Sequence, residues 1–291
     1  HKDCVGGHGP YEINMFDDKT NPRRPRHPGR VRTMEELRMM VDGYDCGIRY
    51  MDGHIGRLFE ALAEQGVLDD LVVIISADHG ENLGELGLYA EHATADTITC
   101  RIPMIVRWPG NKPGHVDNGF HYNLDLLPTL AELLGKERMK TWDGQSYAPA
   151  IESGAECGRD WLVLSQCAHV CQRSARFGPW LYTRTYHCGY HLFPDEMLYN
   201  INNDPHEQHD VAAEHPDIVK QGAKIIAEWH EQMMNSMPYD VDPLDTVMAE
   251  GGPSHARRCL PAYCDRLQKT GRGHHAAELK RRYPEEFEPK L

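Results

Sequence analysis

Asp78 and His79 stand side by side where a short apolar run, Val72-Val73-Ile74-Ile75-Ser76-Ala77, gives way to Gly80 and Glu81. A β-branched run of this length suits a strand buried on both faces of a parallel sheet, and open α/β sheets carry their chemistry at the carboxyl ends of such strands. Where the chain leaves the two-fold alternation of a strand, an adjacent carboxylate and imidazole can both turn toward one cation. Gly80 permits the tight backbone path that follows. Taken alone, an Asp-His-Gly triplet is more readily a solvated turn, so the surrounding elements decide between the two.

A second cluster with ligand chemistry is Cys167-x-His169-x-Cys171, followed by His187, Cys188 and His191. Thiolates and imidazoles suit zinc, but structural zinc sites usually hold their paired cysteines in tight knuckles. On a strand, Cys167, His169 and Cys171 would share one face at period two. Buried free thiols are the plainer reading, with a structural zinc as the alternative.

The elements around Asp78 form a recognisable order. From Glu35 to Glu64, Ile48, Met51, Ile55, Leu58 or Phe59, and Leu62 recur at three- and four-residue intervals, which predicts a helix with one apolar stripe. Gly66 caps it, and a strand over 71–76 follows within a short loop. Helix, short loop and buried strand make the αβ unit of a doubly wound sheet. A second strand is predicted over 102–108, ended by Pro109-Gly110. A helix follows over 125–134, with Asp125 as its N-cap and Gly135 as its stop. Four short runs over 161–166, 172–177, 180–186 and 197–201 suggest a small antiparallel sheet, and a helix is predicted over 216–234.

These elements predict an α/β fold: a mostly parallel sheet flanked by helices, then a smaller α+β domain with an antiparallel sheet. The expected domains are residues 1–155, 156–236, and an extended basic, Pro-rich tail over 237–291. Before the first helix, Pro10, Pro22, Pro25 and Pro28 break regular structure, and Arg23, Arg24, Arg26, His27, Arg30 and Arg32 form a basic cluster. That cluster reads as a solvated loop, with guidance of an anionic substrate as the second possibility.

The chain has 291 residues, 40% of them hydrophobic, and a formal net charge of −13. That size and apolar share support a substantial core, and the acidic balance disfavours a nucleic-acid or membrane-surface partner. No apolar run is long enough for a membrane span. Nine cysteines make an odd count without a regular framework, so reduced thiols fit better than a disulfide scaffold. This slightly favours a cytoplasmic location, with periplasmic or secreted ones open. The opening at His1, within what reads like the inside of a domain, suggests a processed product or a fragment.

Five segments, in order, resemble one family. YMDGHIGRLFEALAEQGVLDD and LVVIISADHGENLGELGLYAEH are similar to the helix, metal strand and following loop of the sulfatase family in the alkaline-phosphatase superfamily. TCRIPMIVRWPG resembles its next strand and HYNLDLLPTLAELLG the partner helix. MLYNINNDPHEQHDVA resembles its C-terminal strand and Asn-Asp-Pro corner. The likeness covers roughly residues 5 to 235.

The resemblance implies hydrolysis of sulfate esters by a formylglycine made from a Cys or Ser in a C/S-x-P-x-R motif. It also implies a single divalent cation, usually calcium, held by two N-terminal acidic residues and a later Asp-Asn or Asp-His pair. Asp78 and His79 match that later pair. Because an imidazole in the shell also admits manganese or zinc, the ion stays open. His92 matches the histidine of the family's Lys-x- or Lys-His pair, which contacts the sulfate and the leaving oxygen. Glu91 stands where the lysine is usual. It fits a general acid, a partner for His92, or a sign of different substrate chemistry. His8 resembles a histidine that many members place near the substrate.

No segment here matches the first acidic pair or the nucleophile motif. Cys259-Leu260-Pro261-Ala262-Tyr263 has Cys-x-Pro but ends in Tyr. A missing N-terminal segment or a complementary chain is therefore an expected partner, beside a sulfated small molecule or carbohydrate; a homo-oligomer is also open. The resemblance implies a sulfuric-ester hydrolase acting on a sulfate monoester. A phosphate or phosphonate monoester hydrolase of the same superfamily is the first alternative, and a non-catalytic binding module the second.

Overall fold

The amphipathic stripe over 35–64 does fold as a helix, α1, Met34–Glu64. The computed structural model describes residue 31 and residues 33–111 and 114–288. His8, Cys4 and the basic cluster over 23–32 lie outside the described residues. The chain divides into two units. One takes the described residues up to Cys46, then His79–Arg101, then those from Val163 onward; the other takes Gly47–Asp78 and Ile102–Leu162.

In the first unit, Val31, Leu37 and Met40 at the start of α1 are buried with Tyr89. Tyr89 opens β3, Tyr89–Glu91, which pairs antiparallel with β2, Asn82–Leu83. A single helical turn, α2, Thr97–Cys100, follows; its N-cap Asp96 accepts from the Thr99 amide. The four expected strands form one sheet in the order β5, Trp161–Gln166; β6, Cys171–Phe177; β7, Trp180–His187; and β8, Glu196–Asn200. The β6–β7 and β7–β8 pairs are antiparallel. α5, Pro216–Ser236, packs on β6 and β7. It comes so close that a Cβ on Gly222 would sit 2.4 Å from Tyr182, so only glycine fits there.

The tail differs from the extended wrap that its prolines and charges suggested. It folds into α6, Pro243–Ala249; α7, Leu260–Lys269; and α8, Gly273–Arg282. Pro243 and Pro261 occupy first-turn positions, where the missing N–H costs nothing, and Asp242 caps α6 by accepting from Leu244. Leu260, Tyr263, Cys264 and Leu267 then meet Ala276, Leu279 and Tyr190 in one buried cluster. Apolar spacing outweighed composition.

The second unit holds the rest of α1, then β1, Val73–Ser76; β4, Met104–Arg107; α3, Leu126–Leu133; and α4, Ala148–Ser153. Here the α/β character expected from the sequence is present, but the parallel sheet is not among the strand pairs described. β1 pairs antiparallel with β4, Val73 opposite Arg107 through Ser76 opposite Met104. The segment joining the two strands contains the β2–β3 hairpin and one helical turn; it carries no long crossover helix of the kind parallel neighbours need. Nor is β1 buried on both faces: Ile75 is 39% exposed and Ile105 of β4 59%. With β4 as its one strand neighbour among the described residues, apolar side chains of β1 stay open.

Polar contacts give this unit its order. Asp125, fully buried, accepts from the amides of Tyr122 (2.8 Å) and Gln145 (2.7 Å) and is gripped at both oxygens by Arg159. Asp125 therefore ends a helical turn just before α3 and ties it to two later segments, a larger role than the simple N-cap expected. Burial would raise its carboxyl, but Arg159 and the two amides hold it below the usual carboxylate range. Arg107 fastens β4 by donating to the Leu68 carbonyl at 2.7 Å and pairing with Asp69.

Candidate metal centre

Three side chains of the first unit, His79, Glu81 and His92, offer ligand atoms that all lie within 4.8 Å of one another. The β2–β3 hairpin explains why. Asn82 lies opposite Glu91, so Glu81 and His92, one step outward on each strand, face each other across the antiparallel pair. Glu81 Oε2 lies 4.0 Å from His92 Nδ1. Gly80 lets His79 join them. Its amide donates to the Thr99 carbonyl at 2.7 Å, and a Cβ there would sit 1.9 Å from the Ile98 carbonyl oxygen. Any larger residue would push His79 away from α2 and out of place.

The imidazoles are set up for a cation. His79 Nδ1 lies 2.8 Å from the Gly80 carbonyl oxygen, which assigns the proton to Nδ1 and the lone pair to Nε2. The two rings stack with centroids 3.8 Å apart. His92 Nδ1 is buried and has no hydrogen-bond partner among the described residues. A buried nitrogen left without a partner is costly, and a metal ion is one way to satisfy it. Two imidazoles and a carboxylate fit a divalent cation.

Glu91 adjoins this group. Burial, and then the neighbouring Glu81 charge, push its carboxyl up to about 7, so near neutrality it can donate a proton. Ala90, just before it, holds a left-handed backbone at φ 54°. Beyond His92 more imidazoles follow. His169 meets His92 edge-on at 5.7 Å and stacks on His255 at 4.1 Å. Burial, and then His255 and His92, hold the His169 ring down at about 4; burial and His169 do the same to His191.

The structure thus brings His79, His92 and Glu91 into one region. Asp78 closes the other unit and is not among the three side chains that converge, while His8 lies outside the described residues. Glu81 was overlooked as a ligand, although its place one residue past Gly80, at the mouth of a hairpin, was the signal available. His169 and His255 left no such signal, since nothing in their local sequence ties them to residue 92. Cys167, Cys171 and Cys188 are free thiols and join no ligand cluster among the described residues. Cys259 precedes α7, with its thiol 3.5 Å from the Arg257 carbonyl; burial and then Glu286 push that thiol up, the opposite of what a nucleophile needs.

Residues 4–136 match the family model described as Sulfatase. A choline-sulfatase of Rhizobium meliloti (strain 1021) is 30% identical over 232 residues, 78% of this chain and 42% of that protein. A protein solved in complex with its substrate, D-glucosamine-2-N,6-O-disulfate, superposes with a TM-score of 0.60 at 21% identity, covering 70% of this chain and 43% of that one. The phosphonate monoester hydrolase of Silicibacter pomeroyi gives 0.59 at 24% identity, covering 72% and 43%. These two superpositions show an alkaline-phosphatase-like fold. The chain spans less than half the length of these relatives.

Proposed function

On the premise that the match over residues 4–136 puts this chain with the sulfatase family of the alkaline-phosphatase superfamily, we propose that it serves metal-assisted hydrolysis of a sulfate monoester. The observation that carries this reading is the convergence of His79, Glu81 and His92, with an unsatisfied buried nitrogen on His92. His79 presents Nε2 because its Nδ1 is committed to the Gly80 carbonyl. Glu81 supplies the negative charge of the set. A divalent cation held there would offset charge on the sulfate oxygens and polarise the sulfur centre. Calcium is the ion the family resemblance suggests; two imidazoles beside one carboxylate suit manganese or zinc as well. Asp78 stays in this proposal as a further ligand.

Glu91 takes the part of a general acid toward the leaving oxygen, which accounts for a carboxyl where the family usually has lysine. His92 orients the substrate or the cation, and His8 is a further substrate contact. The substrate class is a sulfated small molecule or carbohydrate, as the similarity to a choline-sulfatase and to a protein solved with a sulfated sugar suggests. The remaining domain reading is that residues 1–155 contribute to the large metal-binding domain, with its parallel sheet completed by a missing N-terminal segment or a complementary chain.

One observation favours a second reading. His92 lies within the ligand group itself, which suits a phosphate or phosphonate monoester hydrolase in which it binds metal. Rates on an aryl sulfate and an aryl phosphate, with calcium, manganese or zinc, distinguish the two. We expect sulfate to be preferred and His92→Ala to lose on the order of 100-fold or more. Preference for phosphate supports the second reading, and no turnover of either, with metal still bound, leaves a binding module.

A further inference from the structure

The row of imidazoles does not stop at the candidate metal centre, and its outer end comes from the tail. His255 belongs to the turn between α6 and α7. That turn is held firmly: the His255 amide donates to the Ala168 carbonyl at 3.0 Å, and Arg257 donates to the Gly252 carbonyl through two nitrogens, at 3.2 and 3.0 Å. Gly252, at φ +90°, lies so close to the His187 ring that a Cβ would come within 2.9 Å of it. The His255 ring therefore projects from a rigid base.

The partner turn, between β5 and β6, is equally fixed. Gln166 accepts from the amides of Cys167 and Ala168, both at 2.9 Å, while its Nε2 donates to the His92 carbonyl at 3.1 Å. One glutamine thus shapes the turn that carries His169 and ties it to the backbone of His92. On the far side of His169, a Cβ on Gly189 would lie 2.1 Å from the His169 carbonyl, so that segment too is closely seated.

His92 needs such support. Its Nδ1 makes no hydrogen bond among the described residues, Glu81 Oε2 approaching only to 4.0 Å, so orientation falls largely to the rings around it. His79 stacks on it, and His169 meets it edge-on. His169 is in turn backed by His255 at 4.1 Å, with the planes within 25°. We propose that His255 is a positioning residue: through His169 it fixes the ring of His92, so that the tail sets the geometry of the candidate metal centre. The claim about metal rests on the reading above; the claim about the ring does not.

Removing a group that orients a ligand ring typically costs about 10–100-fold in metal affinity. The test compares Mn2+ binding by the whole chain, wild type against His255→Ala and His255→Phe, with thermal midpoints of the metal-free proteins as the folding control. We expect His255→Ala to weaken Mn2+ binding by about 10-fold at an unchanged midpoint, and His255→Phe, which keeps the stack, to restore most of it. Equal affinity in wild type and His255→Ala, or a Phe variant as weak as Ala, overturns the proposal. A second readout needs no metal: the imidazole C–H resonances of His92 should shift and broaden in His255→Ala but not in His255→Phe. If wild type binds no Mn2+, the metal reading fails while the ring resonances still decide this one. Unchanged His92 resonances in His255→Ala refute it.

Discussion

The two units of this chain reach order by different means. The first closes over apolar cores: Val170, Leu181 and Leu198 are fully buried, and the tail helices add Leu260, Tyr263 and Leu267. The second keeps apolar side chains open. On α1, Ile48 and Met51 are 48% and 56% exposed, and β1 and β4 leave Ile75 and Ile105 bare. Beside the buried Tyr147, Ala148 and Leu162, polar contacts hold it: a buried Asp125 with its arginine and two amides, and Arg107 on the Leu68 turn. The first unit thus carries the candidate site beside closed apolar cores, whereas the second leaves a stripe of α1 exposed.

Four substitutions would break or sharpen that contrast. The largest effect is expected at Asp125. Asp125→Ala removes a fully buried carboxylate, leaves the part-buried Arg159 without its partner and should cost about 3–5 kcal/mol. Hydrogen exchange should then rise over residues 102–162 and stay unchanged in β6–β8; uniform loosening would erase the distinction between units. Next comes Leu198→Ala in β8, at about 3 kcal/mol for a fully buried leucine, with the opposite exchange pattern.

The third concerns acid. Burial holds the His187 ring down at about 4, below its usual 6.5. A base depressed in the folded state contributes stability that is present above pH 6.5 and is lost as pH falls through about 4. His187→Gln, which retains an acceptor for the Gly189 amide, should flatten that acid limb by about 2 kcal/mol in urea titrations at pH 7 and pH 4. An acid limb of unchanged slope would move the cause to other groups. The smallest effect is expected from Met51→Ser on the open helix stripe: under about 0.5 kcal/mol, with less binding of a hydrophobic dye. A loss of several kcal/mol would mean the stripe is covered.

Much of this was legible from the sequence because it depends on local periodicity. The stripe of α1, the β1 run before Asp78, the four strands β5–β8 and α5 all appear where spacing predicts them. The strand faces of β1 were misread, because a run of Val and Ile declares apolar character but not whether another element covers it. The tail helices were hidden by prolines that sit at helix starts and by charge on exposed faces. At the candidate site, His79 was singled out by its place at the end of the apolar run, and Glu91 and His92 only by the family resemblance. Glu81 became a ligand candidate only once the Asn82–Glu91 register was known. His169 and His255 required the fold itself, since ring contacts between distant segments leave no trace in local sequence.

The central claim is that His79, Glu81 and His92 jointly hold one divalent cation. Titration of the metal-free chain with Mn2+, for wild type and for His79→Ala and Glu81→Ala, tests it directly. The account predicts a single tight site in wild type and its loss in each variant with the fold retained. Undiminished Mn2+ binding in both variants would contradict it.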